Sequence, residues 1–241
     1  MTNQISSNQE IELSVIILCY RAEESIIDFA NRTSLLASKI SDNYEIVLVG
    51  NYIEGSNDRT KDVVTKLAAE NPRYRAICKP KQGMMGWDMK EGLNFARGQY
   101  LCVIDGDGQF PLESIELCFN KIKNSNYQLV KTYRTTRNDG LYRKTISMVY
   151  NLLFSILFPG LNSRDVNSKP KIMTRSAYEA MTLNSEDWFI DAEIMLNIRK
   201  LKLPFYEFPV EFLELEGRAS FVKFKAIFEF IRNLLVYRIK N

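Results

Sequence analysis

Hydrophobic positions in this chain follow two rhythms in alternation. Leu13-Ser14-Val15-Ile16-Ile17-Leu18 and Tyr44-Glu45-Ile46-Val47-Leu48-Val49 are short runs rich in β-branched residues, the pattern of buried strands. Arg75-Ala76-Ile77-Cys78, Gln99 to Ile104, and Gln128-Leu129-Val130-Lys131 repeat it. Between these runs, apolar residues recur at helical spacing. Glu23 to Ile40 puts Ile26, Ile27, Ala30, Leu35 and Leu36 on one stripe. Val63, Val64, Leu67 and Ala68 mark a helix that Asp58 or Thr60 caps. Met84 to Ala96, ended by Gly98, and Leu112 to Lys123 predict two more. The second half is less regular. It predicts helices over Lys144–Phe158, Asp191–Leu201 and Phe221–Ile239, a strand at Lys171-Ile172-Met173, and an extended segment from Phe205 to Phe212.

Strands alternating with helices predict an α/β protein whose mostly parallel sheet has right-handed crossovers and flanking helices. Residues 1–11 read as a disordered tail, and no linker, low-complexity run or repeat divides the rest. The expectation is one domain over 1–241, with 221–241 as a C-terminal amphipathic helix.

Open sheets of this class bind ligands beyond the carboxyl ends of their strands. The strand at 99–104 runs straight into Asp105-Gly106-Asp107-Gly108-Gln109. Two carboxylates at the end of a buried strand must be desolvated and repel each other. A hard divalent cation relieves both costs, and such ions bind one or two carboxylates together with substrate phosphates. The glycines allow a sharp turn and keep the space above the carboxylates open. A plain strand-to-helix turn with solvated aspartates is the competing reading. A helix-loop-helix calcium site is set aside, because Phe110 stands where that loop needs glycine. The loops after Leu18 and Val49 end at the same edge, so three distant loops are expected to meet at one crevice.

Composition narrows the chemistry. The chain has no histidine, which removes Ser-His-Asp hydrolysis, Cys-His nucleophiles and imidazole metal ligands. A net charge of +3 is too small to indicate nucleic acid. Cys19, Cys78, Cys102 and Cys118 form no Cys-x-x-Cys pair and read as reduced, mostly buried thiols of a cytoplasmic protein. Residues 1–12 are unlike a signal peptide, and no apolar run approaches the ~20 residues of a membrane span.

Several of these segments together resemble glycosyltransferase family 2, with its Rossmann-like GT-A fold. They are Leu13 to Glu24, the strand near 45–50, Gly83 to Gly98 and Asp105 to Glu113. Asp105-Gly106-Asp107-Gly108-Gln109-Phe110-Pro111 is similar to the dolichol- or polyprenyl-phosphate sugar transferases of that family. Tyr133-Arg134, Asp165 to Lys171, Trp188 to Glu193, Pro209 to Phe212 and Gly217 to Ser220 continue the likeness, which covers about residues 12–225. Three departures stand out. Arg21 replaces the usual Asn after the first strand, Gly50-Asn51 and a longer loop replace paired aspartates after the second, and Lys169-Pro170-Lys171 replaces Gly-Phe-Arg.

The resemblance implies inverting transfer from a nucleotide-diphosphate sugar. It implies Mg²⁺ or Mn²⁺ held by Asp105, Asp107 and Gln109, and donor contacts from Tyr20, Glu23, Asn51, Asp105 and Arg218. Arg134, Arg137 and Arg143 are expected to hold an acceptor phosphate, which bidentate guanidinium geometry suits. Their alternative is a solvated basic loop. Asp191 or Glu193 is the candidate general base, with Asp191 preferred because it lies at the start of its helix; its alternative is a helix cap. If the acceptor is a lipid phosphate no base is needed, and Asp191 orients neighbouring groups instead.

The expected acceptor is a polyprenyl phosphate at the cytoplasmic membrane face. The alternatives are a saccharide hydroxyl in polysaccharide synthesis and a nucleotide-sugar-binding module without turnover. The helices at 145–158 and 221–239 are amphipathic, and lie on a membrane, on the core or on a second copy of the chain.

Overall fold

The computed structural model describes the backbone of residues 10–137, 141–213 and 224–240, and the side chains of 10–135, 148–213 and 231–239. Most of the tail expected over 1–11, the side chains of Arg137 and Arg143, and Arg218 lie outside these described residues.

The first half alternates as its sequence pattern dictates. β1 (Leu13–Leu18), α1 (Ser25–Ile40), β2 (Tyr44–Val49), α2 (Thr60–Glu70), β3 (Tyr74–Ile77), α3 (Met85–Phe95), β4 (Tyr100–Asp105) and α4 (Glu113–Lys123) follow in turn. Then come β5 (Leu129–Arg137), α5 (Leu141–Leu157), β6 (Lys171–Thr174), α6 (Arg175–Ala180), α7 (Ile190–Lys200), β7 (Phe205–Phe212) and α8 (Phe224–Lys240). The strands form one seven-stranded sheet in the order β3-β2-β1-β4-β6-β5-β7. Its parallel half has β1 between β2 and β4, with Leu18 level with Val49 on one side and with Asp105 on the other. β6 enters antiparallel between β4 and β5, and β7 closes the edge parallel to β5.

β1 and β2 are buried at every residue, because helices cover both faces of the sheet. On one face, Phe29 and Ala30 of α1, Val64 of α2, and Ile115 and Phe119 of α4 pack against Val15, Ile17 and Leu48. On the other, Met89 and Leu93 of α3 and Ile194 and Ile198 of α7 pack with Ile16, Val47 and Val103. α7 is buried from Ile190 to Ile198, with Phe154 of α5 and Leu234 of α8 in the same cluster.

Several boundaries differ from the sequence pattern. α1 starts at Ser25, because Arg21 and Glu23 have φ of 49° and 45° and cannot continue a helix. Asp58 accepts from the amide and hydroxyl of Thr60, and the Thr60 hydroxyl accepts from the Glu23 amide, tying the loop after β1 to the start of α2. β5 runs six residues past Lys131, because β7 pairs with it as far as Arg137. The short α6 has no apolar stripe to announce it; Thr174 caps it by accepting from the Ala177 amide.

Candidate functional site

Because β2, β1 and β4 are adjacent and in register, the loops that follow them leave the sheet side by side. The Cys19 amide donates to Val49 and the Gly106 amide to Leu18, which fixes the three exits together. This is the crevice expected from the strand order. A β-carbon on Gly106 would lie 2.7 Å from Ile26 and 3.0 Å from the Leu18 carbonyl, so the acidic turn sits against the sheet only without one. Gly108 has φ of 75° and turns the chain back after Asp107.

Asp105 and Asp107 are both half-buried at this edge. Asp107 Oδ1 accepts from the Gln109 amide at 3.1 Å. The Gln109 side chain donates through Nε2 to the Leu213 carbonyl at 3.4 Å, and the Leu213 amide returns a bond to the Gln109 carbonyl. The Gln109 amide is therefore held to the end of β7 by its nitrogen, and its oxygen accepts no hydrogen bond among the described residues.

On the side of β1 to β3, the loops bring together four residues. Tyr20 lies under the Lys81 ammonium, 4.5 Å from the ring centroid, and Lys81 pairs with Asp88. Asn51 donates to Asp88 Oδ1 at 2.9 Å and accepts from the Lys79 amide. Asn51, expected to contact the donor, is engaged with protein groups in this geometry. Its side chain is 3% exposed and both ends of its amide have protein partners, so it positions Asp88 and the chain at 79.

The other wall is a chain of alternating charges. Lys169 Nζ lies 3.3 Å from each oxygen of Asp105 and 3.2 Å from Asp191 Oδ2. Asp191 Oδ1 in turn receives Lys171 at 2.5 Å, and Lys171 also donates to the Ser168 carbonyl. Lys169, Lys171 and Asp191 are all buried, so each charge depends on the next. Burial alone would raise the Asp191 carboxyl, but Lys169 and Lys171 outweigh it and hold it below the usual carboxylate range. Burial alone would lower the Lys169 ammonium, but Asp105 and Asp191 outweigh it and keep it charged.

These contacts engage three of the expected site residues with the protein itself. Asp191 is 1% exposed, with both oxygens on lysines, which makes it a poor proton acceptor; it positions Lys169 and Lys171. Glu193 faces the other way and accepts from the amides of Asn184 and Ser185, bracing the loop before α7. Arg134 forms a bidentate pair with Asp165, Nε to Oδ2 at 2.6 Å and Nη2 to Oδ1 at 2.9 Å, with its side chain only 10% exposed. A guanidinium so engaged braces the 165 loop. Glu23 is half-buried in the loop after β1, its amide donating to the Thr60 hydroxyl.

The sequence shows Lys169 and Lys171 only as a departure from Gly-Phe-Arg, and it does not mark Lys81 or Asp88 at all. The one available signal is that two lysines flank a proline at the start of an apolar strand, where ammonium groups need carboxylate partners.

The donor set at the turn fits a hard divalent ion. Asp105 already attracts a cation, Asp107 adds a second carboxylate, and no group of three or more His, Cys, Asp or Glu side chains among the described residues forms a metal cage. An ion there would complete its shell with substrate oxygens, as Mg²⁺-type ions do. The cysteines play no part: all are free, and burial pushes the Cys19 and Cys102 thiols up, away from the reactive thiolate.

Comparison with known proteins gives this geometry a family. The chain is 27% identical to a dolichyl-phosphate beta-glucosyltransferase of Trichomonas vaginalis over 222 residues, covering 86% of this chain and 67% of that protein. It is 30% identical to the undecaprenyl-phosphate 4-deoxy-4-formamido-L-arabinose transferase of Photorhabdus laumondii over 153 residues, 63% of this chain and 46% of that one. Among solved structures, it is similar to glucosyl-3-phosphoglycerate synthase from Mycobacterium tuberculosis in complex with Mn²⁺, uridine diphosphate and phosphoglyceric acid. The TM-score is 0.69 at 14% identity, covering 95% of this chain and 78% of that one. At that identity the likeness is one of fold, and it agrees with the GT-A expectation. The family model described as Glycosyl transferase family 2 matches residues 14–185, and the chain belongs to that family.

Proposed function

We propose that this protein is an inverting glycosyltransferase that moves a sugar from a nucleotide-diphosphate sugar to a polyprenyl phosphate. The observation that carries the reading is the state of Asp191. Transfer to a sugar hydroxyl calls for a positioned base, worth ~10²–10⁴-fold in rate. The carboxylate best placed in sequence for that task is buried between two lysines. A phosphate acceptor is already anionic and needs no base. The two relatives named above are transferases to dolichyl phosphate and undecaprenyl phosphate, which agrees with this acceptor.

In this reading an acceptor phosphate oxygen forms a bond to the anomeric carbon. The bond from that carbon to the diphosphate breaks on the opposite face, and the nucleoside diphosphate leaves. Asp105 and Asp107, with the side-chain oxygen of Gln109, would hold Mg²⁺ or Mn²⁺, and the ion would supply positive charge to the departing diphosphate. Tyr20 and Glu23 line the donor side, and Arg218 supplies a cation to the diphosphate. Arg137, the last residue of β5, and Arg143, in the first turn of α5, supply cations for the acceptor phosphate.

The membrane side of the reading rests on α5 and α8. α5 buries Tyr150 and Phe154, yet its outer face also exposes Met148, Val149, Leu152 and Ile156. α8 exposes Leu235, Val236 and Ile239 beside the exposed Arg232 and Arg238. No helix among the described residues is long and apolar enough to cross a membrane. Apolar residues beside basic ones suit peripheral attachment to anionic lipid.

The test is transfer of labelled sugar to short prenyl phosphates from a panel of nucleotide sugars, with Mn²⁺ and with chelator. Metal-dependent transfer from at least one donor is expected. Binding of a nucleoside diphosphate with no transfer to any acceptor would leave a binding module in its place.

A further inference from the structure

Lys169 has no assigned part in the reaction, yet its ammonium lies 3.3 Å from Asp105 of the acidic turn. β6 runs antiparallel to β4 with Lys171 level with Val103. Continued by two residues past the strand ends, the same register brings Lys169 to Asp105, as their contact shows. Its backbone is fixed there, because the Thr132 hydroxyl donates to its carbonyl and also bonds the Ser168 hydroxyl. Its side chain is 2% exposed, and the ammonium has Asp105, Asp191 and the Met85 sulfur, at 3.4 Å, as its three partners.

An ammonium and a divalent ion compete for the same carboxylate and repel each other across it. With Lys169 in place, Asp105 is already neutralised, and a metal arriving alone gains little there. A diphosphate changes the balance by adding negative charge on the open side. Asp191 meanwhile gives the ammonium a second carboxylate to stay on, itself secured by Lys171.

We infer that Lys169 is a built-in counter-ion that keeps a metal off Asp105 until a diphosphate arrives, so that metal and donor load together. This rests on the reading of Asp105 as a metal ligand. Lys169 is then a positioning residue. It sets the order of loading without touching the reacting atoms. An ordinary structural ion pair predicts something different: removing it would leave metal binding unchanged or weaker.

The experiment is calorimetric titration of Mn²⁺ into the whole chain, alone and with UDP or GDP, for wild type, Lys169→Met, Lys169→Gln and Lys169→Arg. Circular dichroism melting confirms that each variant is folded. A neighbouring cation weakens proton binding to a carboxylate by roughly one to three decades, and the same repulsion acts on a divalent ion. Mn²⁺ alone should therefore bind Lys169→Met and Lys169→Gln at least about tenfold more tightly than wild type, with Lys169→Arg close to wild type. In wild type, Mn²⁺ should bind at least about tenfold more tightly with a nucleoside diphosphate than without, and this gain should shrink in Lys169→Met. If the neutral variants do not fold, the wild-type comparison still decides: equal Mn²⁺ affinity with and without nucleotide overturns the inference. Equal affinity of wild type and Lys169→Met for Mn²⁺ alone overturns it too, while leaving the metal site intact. Absence of Mn²⁺ binding in every protein and condition removes the metal site itself, and this inference with it.

Discussion

On the β3-β2-β1-β4 side of the sheet, the strands hold their loops in place by apolar burial. β1 and β2 are sealed along their length between two clusters of aliphatic and aromatic side chains. Glu45 is the main exception, and Ser14, Arg75 and the Arg97 amide satisfy it, near the strands' starts and away from the crevice. On the β6-β5-β7 side, the sheet buries three lysines. Lys131 reaches Glu207 and the Thr132 and Asp165 carbonyls, while Lys169 and Lys171 share Asp191. Buried pairs of this kind are weak contributors to stability, and well-packed apolar residues often do as well. Their presence beside the acidic turn therefore points to electrostatics at the site. One half supplies a rigid edge; the other supplies an arranged field.

The largest expected effects test that contrast through stability. Asp191→Ala leaves two buried ammonium groups short of a partner and should lower unfolding free energy by about 3–5 kcal/mol. Ile46→Val, on the apolar side, should lower it by only about 0.5–1.5 kcal/mol. Urea unfolding of both variants checks this; similar losses would mean that the two halves are not built differently. Next is the acidic turn. Asp105→Asn or Asp107→Asn should reduce metal-dependent transfer by about 10²–10³-fold. Asp107→Asn should barely change the melting temperature, whereas Asp105→Asn should lower it, because it takes one of two carboxylates from the buried Lys169.

A smaller effect separates field from base. Asp191→Asn, assayed where it is still folded, should slow transfer to a phosphate acceptor by less than about tenfold, against the ~10²–10⁴-fold expected from losing a general base. The same carboxyl gives a pH dependence with a definite sign. Its folded-state affinity for a proton is lowered, so near and below 3.8 the unfolded chain binds more protons than the folded one. The stability it confers is present above that range and is lost as pH falls through it. The gap in stability between wild type and Asp191→Asn should therefore narrow from about pH 5 toward about pH 2. Smallest of all, Asp28→Asn, which breaks an exposed pair with Arg32, should change stability by less than about 1 kcal/mol.

The same contrast explains what the sequence makes legible. Strands such as Leu13–Leu18 and Tyr44–Val49 are buried on both faces, so their runs are continuous and their type is plain. The acidic turn is legible because carboxylates at a strand end are costly without a purpose. The lysine wall is not. A lysine reads as solvent-facing unless its partner is known, and these partners are remote in sequence: Glu207 is 76 residues from Lys131, and Asp191 is 20 from Lys171. The partner of Arg134 is hidden for the same reason, since Asp165 lies 31 residues away. Glu193 sits two residues after Asp191 on one helix, yet only the fold shows that it turns to the loop at 184–185.

If the candidate base is locked between lysines, the acceptor must bring its own anionic nucleophile. The most direct measurement offers the enzyme a short prenyl phosphate and the matching prenyl alcohol, under identical metal and donor conditions, and follows labelled product. Product is expected from the phosphate and none above background from the alcohol. Comparable product from the alcohol, or from a saccharide hydroxyl with no product from the phosphate, would contradict it.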